Sequence, residues 1–135
     1  MIQNILWVLF GAFSAGVIYA NCGPSLWEIR GAYSYGKFGF WLAFAAFTGY
    51  SLYCSRRESL LKSVGKIGQL HWGRQIGIDL YIGFVLCCGF IALHQGSFAA
   101  LLVWAVPVLI YGNQLTLLYL AVHYESIVRK FTAII

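Results

Sequence analysis

Four polar side chains in the C-terminal half of the sequence have the types and spacing to form a small site inside apolar segments. Asp79 is the one acidic residue within a predicted membrane span, and Asn113 is predicted to lie at similar depth on the next span. Gln75 precedes Asp79 by one helical turn, and Thr116 follows Asn113 by one turn. An intramembrane carboxylate is a candidate for handling an ion or a proton. The interpretation that we favour is that these four groups form structural links between helices, since Asn and Thr commonly bridge membrane helices, and a contact with a partner is a further alternative.

The histidines and cysteines offer little further chemistry. His71 and His123 are predicted near the same membrane boundary, so they form the one pair suited by depth to a bis-histidine haem and are weak cofactor ligands at most. Cys87 and Cys88 are adjacent rather than spaced as a C-x-x-C metal motif. The sequence lacks an activated serine motif, a phosphate-binding loop and HExxH. We therefore predict no cofactor, no metal and no enzymatic activity.

The amino-acid composition indicates the class of protein to which these residues belong. Of 135 residues, 61% are hydrophobic and only 10% are charged, and the mean hydropathy is +0.77. Soluble domains are about half apolar and about a quarter charged. So few charged side chains cannot cover a soluble domain of this size, and disorder requires the opposite composition. The sequence therefore predicts an integral membrane protein.

Apolar segments long enough to cross a bilayer predict an all-α membrane protein with four spans in two hairpins. A spanning helix takes about 20 apolar residues. The predicted spans, in a single domain of residues 1–135, are residues 2–22, 38–54, 75–93 and 98–122. The break between the last two falls at His94-Gln95-Gly96-Ser97, where glycine and polar residues favour a turn. A β-barrel would require alternating polarity, which these segments lack.

The basic residues predict the orientation, because Lys and Arg accumulate in short cytoplasmic loops. The segment 55–74 lies between the second and third spans and carries most of them: Arg56, Arg57, Lys62, Lys66 and Arg74. Arg129 and Lys130 follow the fourth span, whereas Arg30 and Lys37 lie in the first loop. With four spans, both termini are then predicted to be cytoplasmic.

The basic segment also predicts a short helix at the membrane surface. Ser55 and Glu58 have the spacing of a capping box, and apolar residues follow at helical spacing from Leu60 to Ile67. We expect this helix to contact anionic lipid headgroups. Binding to nucleic acid is not expected, because the basic residues follow the membrane boundaries and no recognition motif accompanies them.

Residues 72–120 resemble small bacterial membrane proteins of unknown function. The matching features are the run from Trp72 to Gly83 (WGRQIGIDLYIG), Trp104, the Gly112-Asn113 pair and Tyr119. In those proteins a Trp precedes a helix that opens with Asp-Leu/Phe-Tyr, and a Gly-Asn pair interrupts the next helix. The resemblance implies a bacterial inner-membrane location and a common role for Asp79, Tyr81 and Asn113. It implies no activity.

These features predict a small, non-catalytic, multi-pass membrane protein that packs as an accessory or structural subunit. Its partners would be copies of itself or a larger membrane complex, as apolar helices with stripes of small residues suggest. One alternative is a carrier or channel for an ion, proton or solute that uses Asp79 and Asn113. A second alternative is a subunit that binds haem or a pigment through His71 and His123.

Overall fold

Helices account for nearly all of the chain in the computed structural model, which describes residues 2–29 and 31–133 apart from the side chains of Ser25 and Ala32. The prediction of an all-α protein is confirmed. The helices are α1 (Ile2–Ala20), α2 (Pro24–Trp27), α3 (Gly36–Arg57), α4 (Leu60–Gly68), α5 (His71–Gln95), α6 (Phe98–Tyr111) and α7 (Asn113–Thr132), with a 3-10 turn at Ala32–Tyr35. Arg30, which the sequence assigned to the first loop, lies outside the described residues.

Two of these helices are long and apolar enough to cross a membrane. They are α1, with 19 residues, and α5, with 25 residues. The 22 residues of α3 include the predicted span 38–54, and α6 is apolar but has only 14 residues.

The predicted fourth span, residues 98–122, is two helices rather than one. The chain leaves α6 at Tyr111 and enters α7 at Asn113, so Gly112 alone forms the connection. Trp104 of α6 packs edge-on against Tyr119 of α7, with their ring centroids 4.8 Å apart. Since these residues lie about two turns before and after Gly112, α6 and α7 form an antiparallel hairpin.

Glycine is required at this reversal for two reasons. Gly112 has φ 62° and ψ −135°, a conformation that residues with a side chain rarely adopt. In addition, a Cβ atom at this position would lie 2.6 Å from Cζ of Phe84 on α5. The hairpin therefore turns against the middle of α5.

The reversal places the two ends of the chain at opposite ends of the bundle. Near the N-terminus, the amide of Gln3 donates to the carbonyl of Ser55 at the end of α3, 2.9 Å away. Near the C-terminus, Nζ of Lys130 donates to the carbonyl of His94 at the end of α5. We call these the α4 end and the His94 end of the bundle. The prediction that both termini lie on one side is not confirmed, because α7 returns toward the end where α6 began.

The core is built around α7. This helix contributes Leu115, Leu118 and Tyr119, which are completely buried, and it packs along α3. At the His94 end, the buried Lys37 of α3 forms an ion pair with Glu125 of α7 at 3.1 Å and also donates to the carbonyl of Glu28. A buried cation needs such partners to offset its lost hydration.

Replacement of Gly112 by alanine should destabilise the protein by about 3 kcal/mol, because the new side chain is strained in this conformation and collides with Phe84. Gly89→Ala is the matched control, since Gly89 lies within α5 and a Cβ there would meet nothing within 4 Å. The control should be neutral or stabilising by up to about 1 kcal/mol. Denaturation of both variants in detergent measures the difference, and equal stabilities would contradict the proposed role of the turn.

Candidate functional site

The His94 end holds a buried cluster of hydrogen-bonded side chains from α5 and α7. The Nδ1 atom of His94 lies 2.5 Å from the hydroxyl of Tyr119, and its Nε2 atom lies 3.1 Å from the hydroxyl of Ser126. Both ring nitrogens of His94 therefore have partners. Tyr119 is completely buried and the exposed fraction of His94 is 9%, so these bonds lie away from solvent.

One assignment of hydrogen-bond directions satisfies every group in this cluster. The amide nitrogen of Gln95 donates to the Tyr119 hydroxyl at 3.2 Å, so that hydroxyl is free to donate its own proton to His94 Nδ1. In a neutral imidazole the other nitrogen then carries the proton, and Nε2–H donates to Ser126. Gln95, Tyr119, His94 and Ser126 thus form one continuous chain of satisfied neutral hydrogen bonds.

His123 extends the cluster along α7. Its ring stacks on that of Tyr119 with centroids 4.4 Å apart, and it meets the rings of His94 and Trp104 edge-on at 5.8 Å and 5.7 Å. Its Nδ1 atom lies 3.3 Å from the backbone carbonyl of Tyr119. A carbonyl only accepts, so Nδ1 carries the proton and Nε2 presents a lone pair.

A groove of about 470 Å³ runs beside this cluster, between α1 and α6. Its volume is within the range of about 300–1,000 Å³ that is usual for small-molecule sites. The polar lining consists of Asn21, Gln95 and His123 with the indole of Trp104, and the rest is apolar. The site therefore combines the hydrogen-bonded cluster with a mostly apolar groove.

No hydrogen bond joins any two of the four residues of the predicted intramembrane cluster in the part of the chain that the structure describes. Gln75, Asp79 and Asn113 are exposed. Thr116 instead lies beside Cys87, with the hydroxyl and the thiol 3.5 Å apart. Because α7 runs back toward the His94 end, Thr116 lies farther from Asp79 along the bundle axis than Asn113 does. The carrier or channel alternative stays a prediction.

The predicted haem ligands lie at opposite ends of the bundle. His71 begins α5 at the α4 end, where its Nδ1 atom is 3.0 Å from the guanidinium of Arg74. His123 belongs to the cluster at the His94 end. Among the residues that the structure describes, no group of three or more His, Cys, Asp or Glu side chains is placed to hold a metal ion.

The basic residues predicted at the membrane surface lie together at the α4 end. They are exposed and lie on the last turn of α3, on α4 and on the first turn of α5: Arg56, Arg57, Lys62, Lys66 and Arg74. Arg129 and Lys130 are at the other end of the bundle.

Sequence reasoning missed the cluster because it assigned His94 and His123 to opposite membrane boundaries. The sequence nevertheless contains a pattern that predicts part of the cluster. Tyr119, His123 and Ser126 recur at intervals of four and three residues, which places them on one face of a helix. Polar groups on one face of an apolar helix require partners, and His94 and Gln95 were the nearest polar residues after the apolar part of α5.

Comparisons with known proteins give no match to a family model, a curated protein or a solved structure. The resemblance of residues 72–120 to small bacterial membrane proteins therefore stays a prediction. The function has to be inferred from the geometry of the chain itself.

Removal of the Tyr119 hydroxyl should destabilise the protein by about 1–3 kcal/mol, because His94 Nδ1 and the Gln95 amide would each lose a buried partner. Tyr50→Phe is the matched control, since the side chain of Tyr50 is 65% exposed. Thermal denaturation in detergent compares Tyr119→Phe with this control. Equal stabilities for the two variants would contradict the hydrogen-bond chain.

Proposed function

We propose that this protein is a non-catalytic subunit of a larger membrane complex and that it associates with its partner through the outer face of α5. The observation that carries the proposal is the position of Asp79. This carboxylate lies on the exposed side of an apolar helix, and no hydrogen bond or ion pair joins it to any residue of 2–29 or 31–133. Its partner is then to be sought outside the chain.

The exposure of the apolar helices supports a location within a membrane. Only 11% of the most apolar window of α1, and 11% of that of α5, is buried inside the bundle. A core helix of a soluble protein would be mostly buried. Soluble monomers rarely expose apolar patches of more than a few hundred Å².

The short length of α6 and its turn at Gly112 support three spans and one re-entrant hairpin in place of four spans. The 14 residues of α6 extend about 21 Å, which is less than the hydrocarbon core of about 30 Å. Its end at Gly112 meets Phe84, near the middle of α5, and α7 then returns. We infer that α1, α3 and α5 cross the bilayer while α6 and α7 enter and leave on one side.

The basic residues support a cytoplasmic location for the α4 end. Five Lys and Arg residues lie there, against Lys37, Arg129 and Lys130 among the described residues at the His94 end. The N-terminus is then cytoplasmic and the C-terminus is on the other side.

The amphipathic helix α4 fits a membrane surface at this end. Leu60, Leu61, Val64 and Ile67 are each more than half exposed, although they recur at helical spacing. Lys62 and Lys66 lie on the same helix and are also exposed. Insertion of the apolar face among lipid headgroups would bury these four side chains and bring the lysines to anionic lipid.

The surroundings of Asp79 define the chemistry of the partner. Ile76, Ile78 and Ile82, which lie within a turn of it, are each more than half exposed and would face lipid. A charged group at this depth costs about 2.5–3.5 kcal/mol when it faces hydrocarbon. A basic or amide side chain on a partner helix would remove that cost. A second copy paired about a two-fold axis would instead set Asp79 against Asp79, so charge favours a different protein.

A photo-reactive amino acid at Ile82 should crosslink to one partner and give a product of a single mass. Val8 is the matched control position, since it is exposed and apolar but lies on α1. Asp79→Leu should abolish the product at position 82, whereas Asp79→Asn should retain part of it through the amide. The crosslinked partner peptide should carry a basic or amide residue within one turn. Equal crosslinking with Asp79→Leu, or at Val8, would contradict the proposal.

The orientation can be tested with the cysteines that the chain already has. Cys22 and Cys54 are exposed and lie toward the His94 end and the α4 end, respectively. In intact cells, a membrane-impermeant maleimide should label Cys22 and not Cys54, in a chain with Cys87 and Cys88 replaced by alanine. A cysteine introduced at Ala133 should be labelled like Cys22. Labelling of position 133 only after permeabilisation would contradict the re-entrant hairpin.

A further inference from the structure

A second groove, of about 720 Å³, runs along one flank of α5. It extends from Arg74 in the first turn of this helix to Leu86, a distance of about 18 Å along the helix axis. Gly77 lies between them, and a Cβ atom at Gly77 would meet nothing within 4 Å. Since the hydrocarbon core of a bilayer is about 30 Å thick, the length of the groove is close to the depth of one leaflet.

The lining of this groove is apolar except at one end. Among the described residues that line it, Arg74 is the one that carries a charge. The large apolar side chains of the lining are each more than half exposed: Ile78, Tyr81, Ile82, Val85 and Leu86. A molecule that covers these side chains therefore has a long apolar part, and its end beside Arg74 is anionic.

The charged end of the groove offers hydrogen-bond donors without a counter-ion. The guanidinium of Arg74 donates to Nδ1 of His71 over 3.0 Å, and its other N–H groups have no acceptor in residues 2–29 or 31–133. Within the same residues, no ion pair joins Arg74 to a carboxylate. A phosphate only accepts hydrogen bonds and forms charge-assisted pairs with arginine. Phospholipids present such a group at the surface of each leaflet, so they supply the anion that this end requires.

Neighbouring residues place Arg74 at the level of the lipid headgroups. Trp72 is 77% exposed, and exposed tryptophans favour the membrane–water interface. A side chain at Gly73 would collide with the backbone of Ile67, so the end of α4 lies against the first turn of α5. The exposed Lys66 precedes Ile67 and adds a second positive charge near the groove. Anionic headgroups are therefore favoured over zwitterionic ones.

We propose that this groove is a binding site for one anionic phospholipid of the leaflet at the α4 end. The phosphate accepts hydrogen bonds from the guanidinium of Arg74, which the hydrogen bond to His71 holds in place. One acyl chain lies along Gly77 and Ile78 and ends near Leu86. The groove thus holds a single lipid molecule, in contrast to the contact of α4 with the general membrane surface.

This proposal rests on the membrane location proposed above and not on the partner at Asp79. With 3.6 residues per turn, the centre of the face formed by Arg74, Ile78 and Val85 is about 120° around the helix axis from Asp79. A lipid on this flank and a partner helix at Asp79 can therefore be bound together. Asp79→Leu should abolish the partner crosslink and leave lipid binding unchanged, whereas Arg74→Gln should weaken lipid binding and leave the crosslink unchanged. Failure of either proposal is thus distinguishable from failure of the other.

The test uses phosphatidylglycerol with a diazirine in the middle of one acyl chain, added to the full-length chain in detergent micelles. After illumination, mass spectrometry should locate the label on α5 between Gly77 and Leu86. Unlabelled phosphatidylglycerol should compete at least about tenfold better than phosphatidylcholine, because two basic residues beside the headgroup contribute at least that factor. Glycerol phosphate has the anionic group without the chains and should not compete. Equal competition by phosphatidylcholine, competition by glycerol phosphate, or label spread over all exposed helices would overturn the proposal.

Two glycines of α5 provide a matched pair of variants. Gly77 lines the groove and Gly83 does not, and a Cβ at either position would meet nothing within 4 Å. Gly77→Leu should fill the groove and reduce labelling at least about tenfold, whereas Gly83→Leu should leave it unchanged. Unchanged labelling in Gly77→Leu would contradict the site.

Two arginines at the α4 end separate a specific site from general attraction to anionic lipid. Arg74 lines the groove, whereas Arg56 is exposed on the last turn of α3. Arg74→Gln should reduce labelling about tenfold through the loss of a charge-assisted hydrogen bond, and Arg56→Gln should change it less than about twofold. Equal losses in the two variants would contradict the site. The competition result on the unmodified chain decides the matter if a variant fails to fold.

Discussion

The contact between the backbone of Gly112 and the ring of Phe84 is the constraint on which the rest of the structure depends. A reversal at this point needs a residue without a side chain, since the backbone is in a glycine conformation and the ring occupies the Cβ position. Because α7 turns back here, Tyr119, His123 and Ser126 reach the end of α5. For the same reason, the hairpin stops near the middle of α5 and leaves its N-terminal half exposed.

The sequence predicted most of the helices, but it did not predict the turn between α6 and α7. Segments without alternating polarity indicated helices, and the break after Gln95 was placed correctly. The sequence predicts one span for residues 98–122 because an apolar segment has the same composition whether it forms one long helix or a hairpin of two helices. What decides between the two is the fit of Gly112 against Phe84, 28 residues earlier, and that fit is a tertiary contact without a local pattern.

The prediction of one helix over residues 98–122 also explains why the predicted site and the observed cluster differ. With a single fourth helix, His123 would lie near His71 and Thr116 would lie toward the end where Asp79 is. With a hairpin, His123 meets His94 and Thr116 meets Cys87. Residue types alone identified the groups that need explanation, including Asp79, but depth along the bundle decided which of them meet. The position of each residue along the bundle follows from the direction in which its helix runs, and the direction of α7 depends on the turn at Gly112.

Three basic residues among those described lie at the His94 end, Lys37 on α3 and Arg129 and Lys130 on α7, and the structure shows how two of them are used. Lys37 is buried between Glu125 and the carbonyl of Glu28, so it fastens α3 to α7. Lys130 donates to the carbonyl of His94 in the last turn of α5, where a cation is stabilised by the helix dipole. These charges serve as internal links within the bundle. The basic residues of the α4 end are exposed, so their charges lie on the surface of the bundle. Charge at the His94 end therefore links the helices of the bundle to one another, whereas charge at the α4 end is presented on the surface.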